Sequence, residues 1–219
     1  MIKFVLLTTQ RSGATLFFKS LANHPQIACH HETLFTQDCK FKYFRFDRPS
    51  SFYYQYRSNS VERQFAHWFQ NKQLVHNCIN DYLHTLPNDA QAIGFKVSYN
   101  QLEKYPAIAT WIKEHEVKII HLVRNNLLKA ILSHKTARKR GQFHSTQTVK
   151  QVKVFVSPGQ LKRSLKSRTR FIEKYREMFR NGPYLEISYE SYVANREAET
   201  QKVLQFLDID EFMSLDTDL

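Results

Sequence analysis

The chain has 219 residues, of which 42% are hydrophobic, and carries thirty-two Lys and Arg against twenty Asp and Glu, a net charge of +12. That length suffices for one well-filled core, and no Pro/Gly/Ser-rich linker divides it, so a single domain over residues 1–219 is expected. No apolar run approaches a membrane span, Lys3 interrupts the first apolar run so that it is no signal peptide, and Cys29, Cys39 and Cys78 are odd in number and irregularly spaced, which argues against a spanning protein or a disulfide scaffold and for a soluble cytoplasmic one.

In chain order, residues 2–7 are a nearly unbroken apolar run of strand-forming type, suited to burial on both faces. The loop TTQRSGAT follows, with small polar residues and Gly13, and then Leu16, Phe17, Phe18 and Leu21 resume at helical spacing. This predicts strand, tight loop, helix. The N–H groups at such a helix start, with the positive end of the helix dipole, suit an anion. The usual nucleoside-triphosphate loop needs a Lys directly after its second Gly, whereas here Ala14 and Thr15 follow Gly13 and the cation precedes it as Arg11.

The first helix is expected to end near Asn23, and residues 26–31 to form a second strand with Glu32 at its carboxyl end, facing the same crevice as the Arg11 loop. The group Cys29, His30, His31, Glu32 and Cys39 has neither the Cys nor the His spacing of a zinc site, so no metal is expected there. Residues 36–59 show little period but hold eight aromatics between Phe41 and Tyr56, mixed with Lys40, Lys42, Arg45, Arg48 and Arg57. Such a stretch can form a binding loop that stacks on sugars or bases, or can fold its aromatics onto the core.

Ser60 can cap a helix with Val61, Phe65, Trp68 and Phe69 on one side, and a further helix is expected over residues 74–86. Strands are predicted over 92–97 and 118–123, with a helix over 101–116 between them. Arg124 ends the fourth strand, and Asn125 and Asn126 supply a cap for the helix LLKAILSHKTARKR. Residues 138–148 have the charge and the Gly141 of a cover over phosphates. Ser157 and Pro158 open a long helix closed by Gly182 and Pro183. Residues 184–188 read as a fifth strand, Tyr189 and Glu190 as a turn, and 197–207 as a last helix. This alternation predicts an α/β fold, a parallel doubly wound sheet of about five strands flanked by helices.

The positive charge is unevenly placed. Residues 117–172 hold fourteen of the thirty-two basic side chains and no acidic one, leaving eighteen basic against twenty acidic elsewhere. Such a field attracts a polyanion: a multiply charged cofactor, an acidic surface or nucleic acid.

Arg11 before Gly13, with Ser12 and Thr15 around it, resembles the 5′-phosphosulfate loop of the sulfotransferases, which use 3′-phosphoadenosine 5′-phosphosulfate. The segment HLVRNNLLKAILSH resembles their 3′-phosphate motif, with Arg124 and Ser133 in the matching positions, although Ser133 lies nine residues on, one more than is commonest. A fixed guanidinium and a hydroxyl make a fitting clamp for a phosphate. The run LEISYESYVANREAETQKVLQFLDI resembles the C-terminal segment, in which a Tyr before Glu, here Tyr189, lies near the adenine. Within the family the chain is most similar to bacterial carbohydrate sulfotransferases of the nodulation-factor and trehalose type, on its QRSG loop and the Glu soon after the second strand. It departs at Ala14, where many members carry a small hydroxylated residue.

The resemblance implies a P-loop-like three-layer sandwich that transfers a sulfuryl group to a carbohydrate or glycolipid hydroxyl, releasing 3′,5′-ADP, with no metal and no nucleic acid involved. It implies Arg11, Ser12, Gly13, Ala14 and Thr15 as the 5′-side binding loop, with Arg11 also stabilising developing charge, and Arg124, Ser133 and Tyr189 as further donor contacts. Glu32 is implied as general base, with His31 as rival. Two alternatives stand beside it: a kinase of the same topology, disfavoured by the missing Lys after Gly13, and a basic nucleic-acid-binding module. The positive field also suits peripheral contact with acidic surfaces.

Overall fold

The computed structural model describes residues 1–29, 34–35, 52–69, 71–141 and 152–210. Five strands, β1 (Ile2–Thr8), β2 (Ile27–Cys29), β3 (Ala92–Ser98), β4 (Lys118–Val123) and β5 (Tyr184–Ser188), form one sheet in the order β2-β3-β1-β4-β5. Every neighbouring pair is parallel. β1 therefore has a neighbour on both edges and helices on both faces, which is why its sequence is apolar at successive positions and not alternating. Phe4 and Leu6 join one buried cluster, Val5 and Leu7 the other, as the period of two in a strand requires.

On the Phe4 and Leu6 face lie α1 (Ala14–Ala22), α9 (Tyr189–Ala194) and α10 (Arg196–Phe206). The opposite face is covered by α2 (Phe52–Ser58), α4 (Lys72–His84), α5 (Tyr99–Lys104), α6 (Ala107–Glu114) and α8 (Pro158–Phe179). The last main element, α7 (Leu127–Arg140), follows β4 and packs on α8. This is the three-layer α/β sandwich expected from the alternation of strand and helix.

Several boundaries differ from expectation for identifiable reasons. Residues 101–116 form two helices and not one, because Pro106 lacks an N–H and forces Tyr105 out of the helical region, to φ −128° and ψ 76°. Residues 189–194 form the short helix α9 where a turn was expected, capped by the Ser188 side chain. Within residues 36–59, Phe52–Ser58 is helical and turns Tyr53 and Tyr56 into the core, so this part folds its aromatics inward. Residues 36–51 lie outside the described residues, as do residues 142–148 of the expected cover. The helix after Ser60 forms as α3 (Val61–Trp68), but its apolar side meets no core: Val61, Phe65, Trp68 and Phe69 are all exposed. Among the described residues no helix is long and apolar enough to cross a membrane.

The register aligns the carboxyl ends of four strands. Thr8 pairs with Ser98 of β3 and Leu122 of β4, and Val123 pairs with Ser188 of β5. One step beyond that row come the loop after Thr8, then Tyr99, Arg124 and Tyr189. In an open parallel sheet this rim, where the connections diverge to the two sides of β1, is where ligands bind.

Candidate functional site

The loop after β1 is held by its own small side chains. Ser12 is fully buried and its hydroxyl hydrogen-bonds that of Thr8. Arg11 sits in the left-handed region at φ 65°, an uncommon conformation for a residue with a side chain and one that concentrates at functional loops. Gly13 follows at φ 88°, and a Cβ there would lie 2.1 Å from Cδ2 of Tyr189. Glycine is thus required twice over, for the backbone conformation and for the close approach of an aromatic ring. Gly13 is the N-cap of α1, which has no side-chain cap; its first intrahelical bond in this region runs from Phe17 N to Gly13 O at 3.2 Å. The N–H groups of Ala14 and Thr15 precede that bond, at the positive end of the helix.

Three of the predicted donor residues converge on this loop. The Arg124 Nη1 donates to the Arg11 carbonyl at 2.9 Å, and its guanidinium lies over the Tyr189 ring, 4.8 Å from the centroid. Its Nε is buried and has no hydrogen-bond partner among the described residues. The Ser133 hydroxyl accepts from Arg11 Nε at 2.9 Å, so the extra residue between Arg124 and Ser133 still leaves the hydroxyl on the loop. Arg11, Arg124, Ser133, Gly13 and Tyr189 therefore form one constellation assembled from the loop after β1, the turn after β4, α7 and the start of α9. Glu32 and His31 lie outside the described residues, and β2 is described only to Cys29.

The electrostatics are one-sided. Burial holds the Arg11 guanidinium below its ordinary pKa, and the neighbouring Arg124 adds to the effect. The same causes act on His134, where burial is followed by the charges of Arg168, Arg138, Arg11 and Lys135. Cations gathered in partial burial disfavour one another, and an anion placed between them reverses the sign of that interaction. Among the described residues no cluster of three metal-ligating His, Cys, Asp or Glu side chains occurs. Burial raises the Cys29 thiol to about 12, far from the range of a thiolate ligand or nucleophile.

Two contributors have no role in the sequence reading. Glu190, next to Tyr189, accepts from the backbone N–H of Asn125 at 2.9 Å and of Asn126 at 3.0 Å. Burial alone would raise its pKa, but those two bonds and the Arg124 charge outweigh this and hold it low. Glu190 thereby ties the start of α9 to the turn that presents Arg124, while the Asn126 side chain accepts from Lys129 N and caps α7. The other is Arg168 of α8, whose Nη1 donates to the Gln10 carbonyl at 3.2 Å. Glu190 was visible as part of a Tyr-Glu pair, whereas nothing local separates Arg168 from the other cations of its helix.

Comparisons with known proteins agree with this fold. The model of the sulfotransferase family matches residues 4–213. Among solved structures, a sulfotransferase from Alicyclobacillus acidocaldarius superposes with a TM-score of 0.54 at 12% identity, covering 100% of this chain and 86% of that one. A mouse sulfotransferase complexed with PAP gives 0.58 at 16%, covering 98% and 60%. The sulfotransferase domain from the curacin biosynthetic pathway gives 0.58 at 13%, covering 100% and 79%. At these identities the superpositions speak for the fold. A search of curated protein sequences gives no match. With a family match over nearly its whole length, on a parallel sheet whose glycine loop sits among cations at the strand ends, the chain belongs to the sulfotransferase family.

Proposed function

We propose that this sulfotransferase takes its sulfuryl group from 3′-phosphoadenosine 5′-phosphosulfate and delivers it to a hydroxyl of a carbohydrate or glycolipid, releasing 3′,5′-ADP. The observation that carries the donor is the buried Nε of Arg124, unpartnered among the described residues and set beside a glycine loop, a serine hydroxyl and an aromatic ring. A buried N–H without a partner is costly, and a phosphate oxygen satisfies it. The complex of the mouse neighbour with PAP supports the same nucleotide. Carbohydrate as acceptor rests on the QRSG loop, the place of Glu32 soon after the second strand and the aromatic, cation-rich sequence of residues 41–48. The reading requires no metal and no nucleic-acid partner, and it places the chain in the cytoplasm.

In this reading Arg124 and Ser133 hold the 3′-phosphate, and Tyr189 lies against the base side of the nucleotide. The N–H groups of Ser12 to Thr15 face the 5′-phosphate. The acceptor oxygen bonds to sulfur as the bond from sulfur to the 5′-phosphate oxygen breaks, in line; the acceptor proton passes to Glu32. Negative charge grows on the departing phosphate, where Arg11 and the loop N–H groups are already oriented. Preorganised donors of this kind act without reorganisation at the moment of reaction.

A thermal-shift series tests the donor. The midpoint should rise with 3′,5′-ADP well above the shift given by ATP or AMP at equal concentration, because a ligand that binds only the folded state stabilises it. Arg124→Ala should then weaken 3′,5′-ADP by about 1.5–3 kcal/mol and AMP far less, as expected for a lost charge-assisted contact to one phosphate. Equal losses for both nucleotides would contradict the role given to Arg124.

A further inference from the structure

Helix α8 carries a guanidinium to the loop that none of the residues above accounts for. Arg168 is half-buried and donates to the Gln10 carbonyl at 3.2 Å, while Arg124 donates to the next carbonyl, that of Arg11, at 2.9 Å. Two guanidinium groups, from β4 and from α8, thus hold consecutive carbonyls of one loop. Burial lowers the Arg168 pKa and Arg124 lowers it further, against the opposing influence of Tyr99. Arg168 is also the leading charge acting on His134, one residue from Ser133.

The placement of Arg168 is built into the core and is not the accident of a long surface side chain. One and two turns along the same face of α8, Phe171 and Tyr175 stack on Tyr99 with centroids 6.3 and 4.8 Å apart. The Tyr175 hydroxyl donates to Glu103 at 2.6 Å, and Arg176 grips both oxygens of Glu186 at 2.6 and 2.5 Å. These contacts set the helix against α5 and the middle of β5, and Arg168, in the turn before them, reaches the loop at Gln10. A brace for one loop carbonyl would need only a neutral donor. A permanent cation beside Arg124, in a neighbourhood of like charge, acquires a favourable role once an anion lies between them.

We propose that Arg168 is a third guanidinium of the anion site, acting with Arg124 on the 3′-phosphate half of the donor nucleotide. The assignment rests on the donor reading above. Calorimetric titration of the wild-type chain, Arg168→Gln and Arg168→Ala with 3′,5′-ADP and with AMP tests it. Gln keeps an N–H for the Gln10 carbonyl and removes only the charge. Both variants should lose about tenfold to a hundredfold in 3′,5′-ADP affinity while AMP changes less than about threefold, the scale of one charge-assisted contact. A brace gives a different pattern, in which Arg168→Gln behaves as wild type or both nucleotides weaken alike, and either result overturns the assignment alone. A wild-type chain with no preference for 3′,5′-ADP overturns the donor reading, and the assignment with it.

Discussion

Glu32→Gln is expected to lower turnover by roughly 10² to 10⁴ while leaving 3′,5′-ADP affinity unchanged, because the amide keeps the shape of the carboxylate but cannot take the acceptor's proton. The residue follows the second strand, which pairs with β3 at the edge of the sheet. A carboxylate that only positioned the acceptor would show chiefly as a raised KM. One in a solvent-exposed ion pair would change either constant by less than about 1 kcal/mol. His31→Ala measured in parallel decides between neighbours. If that variant loses turnover with intact 3′,5′-ADP binding, and Glu32→Gln does not, the base is His31.

The second large effect is on stability and comes from a histidine far inside the sheet. His121 of β4 is fully buried between two tyrosines: Nε2 hydrogen-bonds the Tyr99 hydroxyl and Nδ1 that of Tyr184. Tyr184 donates its proton to Glu186 at 2.9 Å, so the neutral ring donates from Nδ1 and accepts from Tyr99 at Nε2. Glu186 lies 3.7 Å from Nδ1 and favours a charged ring, but its carboxylate is already matched by Arg176. Burial dominates and brings the His121 pKa down to about 4.

A histidine held below its unfolded pKa is neutral in the folded chain while the unfolded chain takes up a proton. Stability is therefore full above about pH 6.5 and falls as the pH drops toward 4, by roughly 3 kcal/mol in all for this one group. His76 and His134 are lowered as well, chiefly by burial, and add to the loss with the same sign. Denaturant titrations between pH 7 and 5 should show the decline, and His121→Gln should flatten it even though the variant is less stable at pH 7. An unchanged slope in that variant would mean that the imidazole does not stay neutral; its ring-nitrogen chemical shifts at pH 5 give the same answer directly.

Much of the site was legible along the chain, because its signals are local. An apolar run, a polar turn with one glycine and a 3.6-residue period specify β1, the loop and α1 wherever they occur, and Asn126 and the Ser157-Pro158 pair mark the starts of α7 and α8 by capping chemistry. Arg11, Arg124 and Tyr189 directly follow or lie just beyond the ends of strands, and Ser133 lies in the second turn of α7. The motif reading chose them, and the parallel register of β1 with β4 and of β4 with β5 brought them within hydrogen-bond and stacking distance.

The chain alone was silent wherever the partner is distant in sequence. Pro106 splits a helical period that extends through it, a local steric effect masked by the stronger hydrophobic pattern. The stripe Val61, Phe65, Trp68 and Phe69 has the spacing of a core face and is exposed, since a period records amphipathicity and not what lies opposite. Composition and spacing determined the strand–loop–helix elements, the uneven charge and the anion-holding loop. Only the tertiary structure decided the strand order, the buried Tyr99–His121–Tyr184 chain, the tie from Glu190 to the start of α7 and the reach of Arg168 to Gln10. Each of those joins residues separated by at least twenty positions, and such contacts are set by the packing of whole elements, which no window of local sequence encodes.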